Sequence, residues 1–226
     1  MTFLIGTRGS KLSLAQTNWV ISELQKENKD SEFEIKTITT KGDTDSRALF
    51  TIDQKGIFEK EIDKAVAEKE VDFAVHSLKD VPSDISESLT IACIPRRESA
   101  NDVLITKEGY NLKTIPSGAV IGTSSLRRAV QVSRIRHDVV VKPVRGNIET
   151  RINKVTDGKF DAIILAEAGI SRLGLDVKHS VLSTKDFPPS PGQGALAIVC
   201  RADDEKTISM LKKIEDPKSR TETEAE

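Results

Sequence analysis

The amino-acid sequence predicts an α/β protein of two doubly wound lobes, each a mixed, mostly parallel sheet with helices on both faces, joined by a hinge that the chain crosses twice. Three observations carry this expectation. Short apolar, β-branched runs alternate with amphipathic stretches, the signature of βαβ units. The alternation ends in a polar, proline-bearing segment, "IPRRESAND" (94–102), and then starts afresh. A last buried-type strand, "ALAIVCR" (195–201), follows a second such segment, "KDFPPSPGQG" (185–194), and completes the first lobe.

In chain order, "FLIGTR" is the first strand. A helix over 11–27 follows, with Leu14, Thr17, Val20/Ile21 and Leu24 recurring at steps of three and four. "FEIKTITT" is the second strand, and Phe58, Ile62, Ala65 and Val66 give the second helix its apolar face. "FAVHSL" and "LTIACIP" complete this series. The new series reads "DVLIT", "AVIGTS", "DVVVKPVR" and "DAIILAEAG", with helices near 125–136 and 148–157 and a helical segment over 203–214 after the last strand. The expected domains are 1–96 with 194–216, and 97–193, with 217–226 a frayed tail. Two crossings make a hinge, and a ligand cleft is expected between the lobes.

Composition narrows the function. Among 226 residues, 37% are hydrophobic and 31% charged, and no apolar run reaches the ~20 residues of a membrane span. "MTFLIGTR" has no basic, cleavable leader, so a cytoplasmic location is expected. The net charge of −1 and the few aromatic residues (seven Phe, one Trp, one Tyr) argue against nucleic acid as a partner. Cys93 and Cys200 end apolar runs and read as buried, reduced thiols, and no spacing suggests a metal site.

Any anion site must therefore be local, and "GTSSLRRAVQVSRIR" (122–136) is the place for one. A strand ending in Gly-Thr-Ser-Ser and opening a helix aims backbone N–H groups, hydroxyls and the positive helix end at one point. Ser124 or Ser125 as a plain helix cap, with arginines on a solvated face, explains the same letters. The next strand ends in "VRGNIETR", adding Arg145 and Arg151, "AEAGISRLGL" adds Arg172, and "GTRGS" repeats the pattern with Arg8 and Ser10. Ligands of open α/β sheets bind beyond the carboxyl ends of strands, and several guanidinium forks there suit a ligand with several carboxylates. No Walker loop or dinucleotide fingerprint occurs. In "FAVHSLKDVP" (73–82), Asp80 sits at a strand end beside Lys79, as a charge-stabilising carboxylate or as an ordinary turn before Pro82. His76 reads as a packed core histidine, and Lys55 as part of a loop before the second helix.

Together, "GTRGSKLSLAQ", "KGIFEKE", "VHSLKDVP", "GTSSLRR", "VRGNIETR", "AGISRLGL" and "PGQGALAI" resemble, in order and spacing, the porphobilinogen deaminases, also called hydroxymethylbilane synthases. The resemblance implies a two-lobed fold like that of type II periplasmic binding proteins. It also implies a transferase of tetrapyrrole and heme biosynthesis that joins four porphobilinogen units into linear hydroxymethylbilane, releasing ammonia at each step. By the same resemblance, Asp80 is the catalytic carboxylate. Lys79, Thr123, Ser124, Ser125, Arg127, Arg128, Arg145, Gly146 and Asn147 hold the dipyrromethane cofactor. Arg8, Ser10, Gln16, Lys55, Arg151, Ala168, Gly169, Arg172 and Gln193 contact porphobilinogen or the elongating chain, and a monomer is expected. Family members continue into a third domain whose cysteine anchors the dipyrromethane, and this sequence stops at "TETEAE". A separately encoded third-domain chain, a truncated product and a non-covalent cofactor all remain open. The first is favoured because the motif residues are intact while the anchor is absent. The contrasting reading is a two-lobed protein that binds a polycarboxylate without chemistry.

Overall fold

The structure, a computed structural model, describes residues 1–40 and 59–226. The chain leaves its first compact unit after Glu98, forms a second from Ser99 to Gln193, and rejoins the first from Gly194 to Glu226. The first passage through unit 1 gives β1 (Thr2–Thr7), α1 (Lys11–Glu27), β2 (Glu32–Thr37), α2 (Lys60–Ala67), β3 (Phe73–Ser77), a 3-10 turn (Leu78–Asp80) and β4 (Leu89–Cys93). Unit 2 holds β5 (Asp102–Thr106), β6 (Val120–Gly122), α3 (Leu126–Ile135), β7 (Val140–Lys142), α4 (Ile148–Thr156), β8 (Ala162–Ala166), α5 (Glu167–Arg172) and β9 (Ser180–Leu182). The return adds β10 (Leu196–Arg201), α6 (Glu205–Leu211) and α7 (Pro217–Ala225) to unit 1.

Both sheets are five-stranded, in the orders β2-β1-β3-β10-β4 and β7-β6-β8-β5-β9. In the first, β10 runs antiparallel to β3 and β4; in the second, β5 runs antiparallel to β8 and β9. The other pairings, β1 with β2 and β3 and β6 with β7 and β8, are parallel. The reversed strand is in each case the first one laid down after a crossing.

Alternate side chains of β10 serve opposite faces. Ile198 and Cys200 pack with Val20 and Leu24 of α1 and Leu211 of α6, while Val199 packs with Ile62 and Val66 of α2. Unit 2 repeats this: Leu104, Ile121 and Ile164 meet Val132 of α3, and Val103, Ile163 and Leu165 meet Val155 of α4. Burial on both faces explains why these strands read as continuous apolar runs; each fully buried Ile or Leu contributes about 1.5–3 kcal/mol.

The tail departs from expectation. Residues 217–226 do not fray: Pro217 opens α7, and Asp216 caps it by accepting from Ser219 N at 2.6 Å. Ser219 is buried, its Oγ accepts from Arg97 N at 2.9 Å, and Glu226 takes two hydrogen bonds from the Arg97 guanidinium. The charged letters that suggested fraying are partners for the segment leading to the crossing. The crossings lie at Glu98/Ser99 and Gln193/Gly194, the first slightly beyond the expected 96/97 boundary.

Candidate functional site

In unit 1, the functional letters gather where β1 and its neighbour β3 end. Thr7 is buried, Arg8 half-buried, and Ser10 caps α1, its Oγ accepting from Ser13 N at 3.2 Å. Gln16 is buried on α1 and donates to Ser77 Oγ at 3.0 Å, fastening the helix to the end of β3. Beyond Ser77 the chain turns at once: Leu78 N donates to Ala195 O, and Val81 N closes the turn on Leu78 O. This turn exposes Asp80, and no described residue pairs with its carboxylate; Lys79 beside it is half-buried. His76 is a core histidine, its Nε2 lying 3.1 Å from Asp63 Oδ1. Lys55 lies outside the described residues.

In unit 2, the Gly-Thr-Ser-Ser turn spends its hydroxyls on backbone groups. Thr123 Oγ1 accepts from Ser125 N, Ser124 Oγ donates to Val144 O at 2.7 Å, and Ser125 caps α3 by accepting from Arg128 N. Ser125 is thus the helix cap, while Ser124 fastens the end of β6 to the strand end beyond β7. Gly146 adopts φ +113°, where a Cβ would stand 2.6 Å from Thr150 Cγ2, so only glycine fits this turn. Asn147 then caps α4, accepting from Thr150 N at 2.8 Å.

Arg127 and Arg128 do not lie on a solvated face. Arg128 is buried, donating through Nε and Nη2 to Asp102 Oδ1 (3.0 and 2.6 Å), through Nη1 to Ile164 O and through Nη2 to Gln193 Oε1. Arg127 donates to Asp102 Oδ2 and to Pro188 O, both at 2.7 Å. Gln193 is fully buried, donating to Asp102 Oδ1 and Ala100 O. Burial works to raise the Asp102 pKa, but the Arg128 charge and hydrogen bonds from both guanidiniums outweigh it and hold the carboxyl below its ordinary value. Arg151 donates to Gly146 O at 2.7 Å. Burial and the like charges of Arg128 and Arg145 hold its guanidinium below the ordinary value, and no described carboxylate pairs with it. Arg128, Arg145 and Arg151 thus stand close enough at the ends of β6 and β7 for the charges of the first two to act on the third.

Arg172 ends α5, half-buried. Ala168 and Gly169 are buried, and a Cβ on Gly169 would meet Ile148 Cδ1 at 2.6 Å, so this glycine serves the close approach of α5 and α4. Asp102 escaped the sequence reading. Its signal was an acid heading a strand, "DVLIT", that is buried throughout, where an ionised carboxyl needs partners. Glu167 escaped too; it accepts from Ser99 Oγ at 2.5 Å and Asn101 Nδ2 at 3.1 Å.

Residues 3–209 match the family model "Porphobilinogen deaminase, dipyromethane cofactor binding domain". The chain belongs to the porphobilinogen deaminase family. It is 71% identical, over its whole length and 73% of the relative's, to "Probable porphobilinogen deaminase" of Nitrosopumilus maritimus. It is 46% identical to "Porphobilinogen deaminase" of Brevibacillus brevis, over 98% of this chain and 72% of that one. Among solved structures, the fold is similar to the BenM effector binding domain with its effector benzoate (TM-score 0.55, 14% identity, 97% of this chain and 90% of that one). It is likewise similar to the probable amino-acid ABC transporter extracellular-binding protein ytmK from Bacillus subtilis (TM-score 0.53, 12% identity, 95% and 90%). The fold is thus that of two-lobed type II periplasmic binding proteins.

The cationic cluster fits the acidic side chains of the dipyrromethane that names this deaminase domain. The thiols do not fit a covalent anchor. Burial and then Glu215 push the Cys93 thiol far up, and burial and then Asp204 push Cys200 to about 11, so neither supplies a thiolate near neutral pH. No described helix is long and apolar enough to cross a membrane, and no described cluster of His, Cys, Asp and Glu could hold a metal.

Proposed function

We propose that this chain carries out the porphobilinogen deaminase reaction, joining four porphobilinogen units into hydroxymethylbilane with release of ammonia. The observation that carries this reading is the gathering of Arg128, Arg145 and Arg151 at neighbouring strand ends of unit 2, on a chain of this family. Porphobilinogen and its oligomers bear acetate and propionate groups at every pyrrole, the anions such a cluster takes.

In this reading Arg127, Arg145, Arg151 and Lys79 receive those carboxylates, and Arg128 adds its charge from behind. The turns at Thr123–Ser125 and at Gly146–Asn147 hold the guanidiniums in place; Arg8, Ser10 and Arg172 meet further carboxylates of the growing chain. Gln16 and Gln193, both buried, act through Ser77 and Asp102. Ala168 and Gly169 shape the backbone beside Arg172. The dipyrromethane, when bound, supplies the primer to which units are added. Asp80 opposes the positive charge that develops on the substrate as ammonia leaves, and accepts a hydrogen bond from a pyrrole N–H. An exposed carboxylate with no partner among the described residues suits that task. The anchoring thiol lies outside residues 1–226, because burial keeps both Cys93 and Cys200 from forming a thiolate near neutral pH.

The test is incubation with porphobilinogen, alone and with the C-terminal portion of the Nitrosopumilus relative, following ammonia, bilane and intact mass. Ammonia release with bilane formation, and pyrrole adducts on the added polypeptide only, are expected. No ammonia in either arm overturns the activity, and adducts on this chain overturn the assignment of the anchor.

A further inference from the structure

We propose that Asp102 is a positioning residue of the anion site, deciding which edges of Arg127 and Arg128 face a bound polycarboxylate. The proposal rests on the functional reading only in naming porphobilinogen as a ligand. Asp102 is fully buried at the head of β5, and four donors converge on it: Arg127 Nη2, Arg128 Nε and Nη2, and Gln193 Nε2, at 2.6–3.0 Å. Its two oxygens are divided, Oδ2 to Arg127 and Oδ1 to Arg128, so a single carboxylate sets the planes of two guanidiniums that are sequence neighbours on α3. Carbonyls complete the clamp, Pro188 O on Arg127 and Ile164 O on Arg128. Arg128 is thereby occupied on Nε and on both terminal nitrogens, whereas Arg127 shows no such bond from Nε. Gln193 extends the network to Ala100 O, so the first and last stretches of unit 2 are fastened to the same acid.

Replacing Asp102 has two opposed effects on an anion. The site gains net positive charge, which counter-ions screen over about 10 Å wherever solvent reaches it. Two long side chains also lose their fixed planes, and binding must then order them. The second effect wins for a rigid ligand that needs several forks at once, so polycarboxylate affinity falls.

Calorimetric titration of the whole chain with porphobilinogen and with mellitate, a rigid aromatic polycarboxylate without pyrrole chemistry, tests this. Asp102→Asn keeps the shape and removes the charge; it is expected to weaken both ligands about tenfold, as does Arg127→Gln, while the double variant weakens them little more than either single one. Such non-additivity is what a purely structural aspartate would not produce. Should Asp102→Asn fail to fold, Gln193→Leu removes one donor to Asp102 and one acceptor of Arg128, with an expected loss of about threefold. Unchanged or tighter binding in the folded variants, or losses that simply add, overturns the positioning role. A wild-type chain that binds mellitate but not porphobilinogen overturns the proposed function alone; one that binds neither overturns both.

Discussion

In unit 1 the strand β1 ends in Gly6-Thr7 and opens a helix capped by Ser10; in unit 2 the strand β6 ends in Gly122-Thr123 and opens a helix capped by Ser125. Both threonines are buried, and each helix is fastened to its own unit by one buried polar side chain. In unit 1 that side chain is Gln16, with a neutral hydrogen bond to Ser77; in unit 2 it is Arg128, with a charged bond to Asp102. The strands beyond, β3 and β8, each lead into a short helical turn bearing an acid, and here the contrast reverses. Asp80 is exposed with no described partner, whereas Glu167 is tied to Ser99 and Asn101; burial works to raise its pKa and those hydrogen bonds outweigh it. One topology therefore carries an acid with no described partner over a neutral fastening and a bound acid beside a charged one. The sheet fixes where turns fall, and turn residues alone decide which group is left available for chemistry.

The largest expected effect tests the exposed acid. Asp80→Asn should lower the rate of ammonia release from porphobilinogen by roughly a hundred- to ten-thousand-fold. It should leave the melting curve within about 0.5 kcal/mol of wild type, since nothing described leans on this carboxylate. Glu167→Gln, removing the bound counterpart, should lower stability and spare most of the rate. A comparable loss of rate in both variants would break the comparison.

The charged fastening comes next. Arg128→Met leaves Asp102 with Arg127 and Gln193 but without its principal neutralising charge, at an expected cost of about 3–5 kcal/mol in denaturant unfolding. Acid titration follows the same carboxyl. The Asp102 pKa is lower folded than its unfolded value of about 3.9, so its stabilisation is fully present above that pH and is lost as pH falls through the lower folded value. Asp102→Asn should flatten the acid limb below about pH 4.

Much of this contrast was legible before any coordinates. The three- and four-residue spacing of Leu14, Thr17, Val20 and Leu24 gave α1 its limits, and the glycine-hydroxyl turns located both strand ends. The partner of the arginines was not legible, because an aspartate before "VLIT" looks the same whether it faces water or two guanidiniums; pairing across distant sequence decides it. The tail was misjudged for a related reason. "DPKSRTETEAE" is polar enough to fray, and the distant Ile94 and Arg97 backbone amides, which Glu215 and Ser219 satisfy, help explain why it does not. Gly169 reached the site through family resemblance, while the clash that a Cβ there would make with Ile148 shows a packing reason that no local pattern contains.

The neutral fastening gives the smallest effect and the sharpest measure of the contrast. Gln16→Met preserves length and apolar bulk on α1 and removes only the donation to Ser77 Oγ. The Ser77 hydroxyl is half-buried, so water can replace the lost partner, and the expected cost is that of one neutral hydrogen bond, about 1 kcal/mol. Arg128→Met is expected to cost several times more, because the group it abandons is a buried carboxylate that water does not reach. Equal losses in the two variants would mean that charge adds nothing to the fastening of unit 2, and that Arg128 is held there by packing of its stem alone.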